Sequence, residues 1–517
     1  MTTRHTTLRR LAISMVPVLF VAGLAGSCVP HPTESDPLAQ YYKQDLAFGS
    51  CAEFATTALE DLVFDAVEEA ECAYLQVPVD YEDPRGETAQ VAVTRLAADG
   101  NPIGSLVVNP GGPGGSGLLQ GVVADANLAG TPITENFDII GMDPRGVGAS
   151  TPSADCVSDE SADQGGNLFP QAALQGSWSA EQTQELVERC AEASGGENFL
   201  ANVGTRDAAR DLDVLREVLG DETLSYLGQS YGTRLGAVYA EMFPENVRAL
   251  VLDGAADPTL GTVERRITQY TGFQAAFDSM ATDCSKEEDC ILGTDPDQAV
   301  EKFQSITRPL IDEPITTAAG RTVDYNVAVG AVTAGLYNSE QWPDVLAGIE
   351  ELAAGRADTL LAISDEFGMR DENGVWGNYL EANFAVNCMD EERRTPEQEE
   401  EFRAEVRGVA PFMDPGDGVA GARDGCEAWP ADPDLGFPYA EHPEGLPETL
   451  TISVTGDPAS PYEGGLSLSK QLDGAHLTVE GKQHTIAMSG ANDCVNEAVA
   501  DYLVDLEVPE EDARCIA

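Results

Sequence analysis

Basic side chains are scarce in this chain. Lys and Arg number 29 against 89 Asp and Glu, a formal net charge of −60. A surface of that sign repels a polyphosphate over most of its area, which excludes a nucleic-acid partner. Histidine is scarcer still, with five residues in 517. No CxxC or HxxxH spacing occurs, so the sequence offers no metal cluster. No Gly-Lys-Ser/Thr follows a glycine-rich stretch, which removes a Walker-type phosphate loop. The one long apolar run, LAISMVPVLFVAGLAGS, lies near the N-terminus and lacks the flanks of a working membrane span. There is no internal repeat. Length is not lacking: 517 residues exceed one plain domain and suggest a large insertion or a second domain.

The apolar run follows Arg4, Arg9 and Arg10 and ends at Cys28, the layout of a cleaved export signal. Leu24-Ala25-Gly26-Ser27-Cys28 resembles a lipobox, with Ala25 where Leu is usual. Residues 1–27 are thus expected to be a lipoprotein-type signal peptide, Cys28 the lipidated residue, and 28–50 a polar, Pro-rich tether. Ordinary secretion is the alternative, and Arg9-Arg10 is a fair match to a twin-arginine signal. The expected product is a monomeric lipoprotein of the cell envelope, held to the membrane through its lipid. Ten cysteines remain beyond Cys28, an even number that an exported protein can keep oxidised. They fall into neighbour pairs: Cys51–Cys72, Cys156–Cys190, Cys284–Cys290, Cys388–Cys426 and Cys494–Cys515. The sequence leaves that connectivity open.

Along the chain, TAQVAVTRLAA alternates as a half-buried strand does. SLVVNP (105–110), FDIIGMDPRG (137–146), TLSYLG (223–228) and VRALVLDG (247–254) are short apolar runs. Between them TRDAARDLDVLREVLG and YGTRLGAVYAEMF have helical spacing, closed by Gly220 and Pro244. Strand and helix alternate again from TLTISVTGD (449–457) to the C-terminus. This predicts an α/β fold with a mostly parallel central sheet, built from 51–263 and 441–517. The middle, 264–440, reads as a helical lid inserted into that sheet domain. Its segment EERRTPEQEEEFRAEV is expected to be a solvated helix face.

Gly228-Gln229-Ser230-Tyr231-Gly232 fits the G-x-S-x-G nucleophile elbow, with a strand before it and a helix after it. A serine needs a base. His31 lies in the tether, His442 in a Pro-rich loop, and His476 inside the strand AHLTVEG. His484 follows that strand at its carboxyl end, where open α/β sheets place their sites. Asp457 ends TLTISVTGD on the same edge and completes the order Ser…Asp…His; Asp253 is the second candidate acid. The loop NPGGPGGSG (109–117) offers backbone N–H groups for an oxyanion, with Gly112 as one donor and Tyr231, after the nucleophile, as the other.

NPGGPGGSG, FDIIGMDPRGVGAS, DLDVLR, LGQSYGTRLGAVYAEMFPENVRALVLDG and TGDPASPYEGG with GKQHT resemble the tripeptidyl-aminopeptidase-like α/β-hydrolases of high-GC Gram-positive bacteria. These are exported serine peptidases related to proline iminopeptidases, some catalogued as envelope carboxylesterases or proteases. The resemblance implies Ser230 as nucleophile, Asp457 as acid, His484 as base, an acyl-enzyme, and no cofactor. It implies a peptide substrate cut from its N-terminus, with ester hydrolysis or endoproteolysis as alternatives. Ser460 stands where relatives often carry Thr, and Gln483 where Gly is usual. Exopeptidase relatives hold the substrate's amine with lid carboxylates, a role that Asp390 or Glu391 in NCMDEE would fill.

Overall fold

The computed structural model describes residues 37–164 and 178–517. The expected signal peptide, Cys28, His31 and residues 28–36 of the tether lie outside them.

The strands, in chain order, are β1 (Gly49–Ser50), β2 (Glu71–Pro78), β3 (Thr88–Leu96), β4 (Gly104–Asn109), β5 (Phe137–Met142), β6 (Leu224–Gln229), β7 (Val247–Asp253), β8 (Ile315–Thr316), β9 (Thr322–Val323), β10 (Leu450–Val454), β11 (Ala475–Glu480) and β12 (Arg514–Ile516). Ten form one sheet in the order β1-β2-β3-β5-β4-β6-β7-β10-β11-β12, while β8 pairs with β9. β1, β2, β3 and β5 meet antiparallel; from β5 to β12 every neighbour is parallel. Short strands that are apolar on both sides suit this position, because helices cover both faces. Along β4, Val107 enters one core and Leu106 and Val108 the other; along β6, Tyr226 and Leu227 divide the same way.

The helix Thr205–Leu219 ends at Gly220, whose φ of 87° gives a left-handed cap. Two of the quoted motifs meet beneath it. Arg145 of DPRG and Asp211 of DLD form a pair with both side chains at 0% exposure. Nε and Nη2 reach the carboxylate at 2.7 and 2.6 Å, and the remaining N–H groups reach the carbonyls of Pro78, Val79 and Asn202. A buried pair of this kind stands only when such partners satisfy it fully, so these motifs serve the scaffold.

Between β7 and β10 the chain leaves the sheet. Its helices include Thr262–Cys284, Tyr325–Gly335, Tyr379–Asp390 and Pro396–Val409. The first, second and fourth of these enclose a core of their own, in which Phe277 stacks on Phe412 at 4.9 Å and meets Phe303 at 5.3 Å, whereas Tyr379–Asp390 packs its buried face into the core of the sheet domain. The charged segment is a helix opened by a Thr395/Gln398 capping box, but it is not a solvated face along its whole length. Glu399 and Arg403 are buried, since Glu399 is bracketed by Arg403 Nε at 2.9 Å and Arg394 Nε at 2.6 Å. Disulfides join Cys51 to Cys72, Cys156 to Cys190, Cys284 to Cys290, Cys388 to Cys426 and Cys494 to Cys515. Among the described residues no helix is long and apolar enough to cross a membrane.

Candidate active site

Four parallel neighbours, β6, β7, β10 and β11, bring Ser230, Asp253, Asp457 and His484 to one carboxyl edge. Ser230 follows β6 directly and has φ 55°, ψ −121°, a strained backbone for a residue with a side chain. The turn is tight because its neighbours lack Cβ atoms. One on Gly228 would stand 2.4 Å from the Gly232 carbonyl oxygen, and one on Gly232 2.9 Å from that of Asn109. The Ser230 N–H bonds to the Asp253 carbonyl at 2.9 Å, so β7 holds the elbow from the side.

His484 and Asp457 meet as a pair. Nδ1 lies 2.9 and 2.8 Å from the two Asp457 oxygens. Asp457 Oδ1 also accepts the N–H groups of Ala459 and Ser460, and Oδ2 accepts the Ser460 hydroxyl at 3.0 Å. The acid is therefore fixed by its own turn before it orients the ring. His484 Nε2 is buried with no hydrogen-bond partner, which leaves it as the ring's free acceptor once Nδ1–H faces Asp457. Burial pushes the imidazole pKa down, but the charge and hydrogen bond of Asp457, with Asp253 beyond, raise it above the ordinary value.

The glycine loop lies against the elbow. Gly111 N–H goes to Asn109 Oδ1 at 3.0 Å, and Gly112, Ser230 and Tyr231 line one cavity of about 300 Å³. A helix of the insertion roofs this loop. Asn383 Nδ2 donates to the Pro113 carbonyl at 3.1 Å, and a Cβ on Gly114 would stand 2.4 Å from the Tyr379 carbonyl oxygen. Beyond Gly112 a second cavity of about 200 Å³ runs between Tyr379, Phe367, Tyr337 and Phe273. Tyr337 sets its ring edge-on to His484 at 5.4 Å and accepts the His484 N–H on its carbonyl at 2.7 Å.

A sequence profile of the alpha/beta hydrolase fold matches residues 104–491. The chain belongs to the α/β-hydrolase family. Serine protease Hip1 of Mycobacterium tuberculosis is 41% identical to this hydrolase over 462 residues, 86% of this chain and 87% of that protein. Carboxylesterase B of the same species is 38% identical over 500 residues, covering 95% and 94%. A tripeptidyl aminopeptidase of Streptomyces lividans is 28% identical over 467 residues, covering 86% and 83%.

The hydrolase corrects the amine-holding role expected of Asp390 and Glu391. Asp390 is 1% exposed, and its oxygens take Thr205 N at 2.9 Å, Thr205 Oγ1 at 2.6 Å and Arg234 Nη1 at 2.9 Å. Glu391 lines the second cavity but is held by Arg266 at 2.6 Å and by Arg265. Burial works against its charge, yet Arg266, Arg265 and Arg234 pull its carboxyl down to about 2. Each carboxylate already accepts three hydrogen bonds from the protein and has its charge met by arginine, so neither stands as a free clamp for an ammonium group. Asp253 is not the orienting acid either. Its Oδ2 accepts Gln229 Nε2 at 3.0 Å and the N–H groups of Ile486 and Ala487 at 2.6 and 2.7 Å, which pins the loop after His484. His476 bonds Ser453 Oγ at 3.0 Å, and burial drops its pKa to about 4. His442 is exposed beside Asp473. Asn109, Ser460 and Tyr337 are the site residues that the motifs did not single out for a role. Asn109 and Ser460 stand inside quoted motifs, whereas nothing in the sequence around Tyr337 marks it.

Proposed function

We propose that this chain is a serine hydrolase that cleaves peptides through an acyl-enzyme. Ser230 Oγ attacks the carbonyl carbon and His484 Nε2 takes its proton. The N–H groups of Gly112 and Tyr231 hold the oxyanion of the tetrahedral intermediate. His484 then returns the proton to the leaving amine, and a water activated by the same nitrogen releases the acyl group. The observation that carries the reading is the His484–Asp457 pair: Nδ1 engaged at 2.8 Å, with Nε2 buried and free on the edge that presents Ser230. Identity of 41% with a serine protease over most of both chains supports peptides as substrates. The 38% identity with carboxylesterase B over nearly the whole chain favours a second reading, ester hydrolysis by the same residues. With Asp390 and Glu391 engaged by arginines, the site supplies no amine clamp from that pair, so cleavage need not begin at a free N-terminus.

A fluorophosphonate probe is expected to label the wild type and not Ser230→Ala; equal labelling of both would refute the nucleophile. Peptide anilides with free and blocked amines, run beside short- and long-chain esters, then choose the substrate class. Turnover of esters alone would end the peptidase reading. We further propose export and anchoring through lipid on Cys28, which the basic n-region, the lipobox-like segment and the five disulfides support. Partition into detergent by the wild type, lost in Cys28→Ala, is the expected result.

A further inference from the structure

Rings run in an unbroken series from His484 to the glycine loop. The His484 ring meets Tyr337 edge-on at 5.4 Å, Tyr337 meets Phe367 at 5.7 Å, and Phe367 meets Tyr379 at 5.5 Å. Tyr379 closes the series at the loop, where a Cβ on Gly112 would stand 2.9 Å from its Cε2. Phe273 also packs on Tyr337, at 5.3 Å. These four side chains wall the cavity of about 200 Å³. That cavity shares Gly112, Arg266, Gln269 and Asn387 with the Ser230 cavity, so the two adjoin. The helix Tyr325–Gly335 turns Val329 and Thr333, four residues apart and so on one face, towards the same space. Thr333 spends its hydroxyl on the Val329 carbonyl at 2.8 Å, which leaves its methyl group for the cavity.

Charged side chains reach this cavity too, but each is met within the protein. Arg266 pairs with Glu391 at 2.6 Å, and Arg394 with Glu399 at 2.6 Å. Asp424 accepts the backbone N–H groups of Arg394 and Cys426 at 2.8 and 2.9 Å. An ammonium or carboxylate entering here would shed its water and find no opposite charge left free. An apolar group has no such cost, and a dry apolar cavity of about 150 Å³ is already enough to hold benzene.

We propose that the ring-walled cavity is a specificity subsite that seats one bulky apolar side chain of the substrate, aromatic above all, beside the bond that Ser230 attacks. The proposal rests on the serine-hydrolase reading, since it places the cavity between the base and the Gly112 amide. A phenyl ring seated there would take edge and face contacts from the wall. It would hold the carbonyl in place, and none of the four rings would take part in bond breaking. Two parts of a peptide carry such a group, the residue before the scissile bond and the residue after it.

Matched substrates test this. One peptide set places Phe, Leu, Ala, Lys or Glu before the bond, and a second places them after it. A third set compares phenylpropanoyl with acetyl esters of one leaving group. The ratio of kcat/KM, Phe over Ala or phenylpropanoyl over acetyl, is expected to be roughly ten- to a hundredfold in the wild type for one side of the bond. Which set shows it identifies the side that the cavity serves. Lys and Glu are expected to fall below Phe on that side. Thr333→Phe, which fills the cavity with a ring of its own, is expected to bring the ratio close to one, and Thr333→Val, of similar size, to leave it unchanged. A purely structural role for Thr333 would lower both members of a pair and keep their ratio. If Thr333→Phe does not accumulate as folded protein, the smaller fall in Thr333→Leu carries the test. A wild-type ratio of one or below in every set, or Lys or Glu ahead of Phe on the favoured side, overturns the subsite. A ratio unchanged in Thr333→Phe and Thr333→Leu overturns its assignment to this cavity. Fluorophosphonate labelling of Ser230 separates the two levels. A labelled wild type without apolar preference refutes the subsite alone, whereas an unlabelled wild type refutes the hydrolase reading and the subsite with it.

Discussion

Replacing Asp457 by Asn exchanges one atom and should cost almost all turnover. Asp457 Oδ1 accepts the backbone N–H groups of Ala459 and Ser460, each at 2.9 Å. Those donors are fixed by the turn, so an asparagine must offer them its carbonyl oxygen. Its NH2 then occupies the place of Oδ2, 2.8 Å from His484 Nδ1 and 3.0 Å from Ser460 Oγ. An N–H donor facing Nδ1 forces that nitrogen to accept, and the ring proton moves to Nε2. A protonated Nε2 cannot take the Ser230 proton. The same exchange in another Ser-His-Asp protease lowers kcat about 10⁴-fold, roughly 5.5 kcal/mol of barrier, and that size is expected here. A second signature is independent of the first. In the wild type Asp457 raises the imidazole pKa against the burial that lowers it, so the acid limb of kcat/KM should lie above pH 6.5. Without the carboxylate, burial dominates and that limb should move to lower pH. Initial rates with a peptide anilide from acid to alkaline pH, on wild type and Asp457→Asn, measure both. A loss under tenfold with an unmoved acid limb would refute the tautomer argument.

Gly228→Ala places a methyl group 2.4 Å from the Gly232 carbonyl oxygen and should abolish probe labelling while thermal unfolding shows a Tm several degrees lower. Glu391→Gln tests the buried ion pairs: the fall of that carboxyl from 4.5 to about 2 corresponds to about 3 kcal/mol, present above about pH 4.5 and lost as pH falls towards 2. Urea unfolding at pH 3 and pH 6 should show that the variant has lost this part of the pH dependence; identical dependence would count against the Arg265–Glu391–Arg266 account. The Cys388–Cys426 bridge closes a 38-residue loop, so the double serine variant should lose about 4 kcal/mol by chain entropy, read as a drop in the urea midpoint.

The parallel sheet was legible because buried strands of both-sided apolar character alternate with helices of clear period. The edges were not: β1 has two residues and β12 three, too short for any periodicity to register. Ser230, Asp457 and His484 stood out because each lies at the carboxyl end of a strand: Ser230 next after β6, Asp457 and His484 within the turns that follow β10 and β11. Asp390 and Glu391 misled for a physical reason. In a chain so rich in acids every carboxylate looks available, and the arginines that engage them come from distant segments, Arg234 from the elbow helix and Arg265 and Arg266 from the first helix of the insertion. Likewise the charged segment 391–406 hid the buried Glu399 and Arg403, since sequence displays charge but not the direction in which a helix turns it.

The roof over the glycine loop has a consequence for how substrate arrives. The Tyr379 carbonyl bears on Gly114 too closely for a Cβ there, and the Asn383 side chain donates to the Pro113 carbonyl. Lifting that helix would disturb the loop that carries Gly112, one of the two amides proposed to receive the oxyanion. Access and reactivity are thus mechanically tied at this spot, and a wide swing there would open the enzyme only by switching it off.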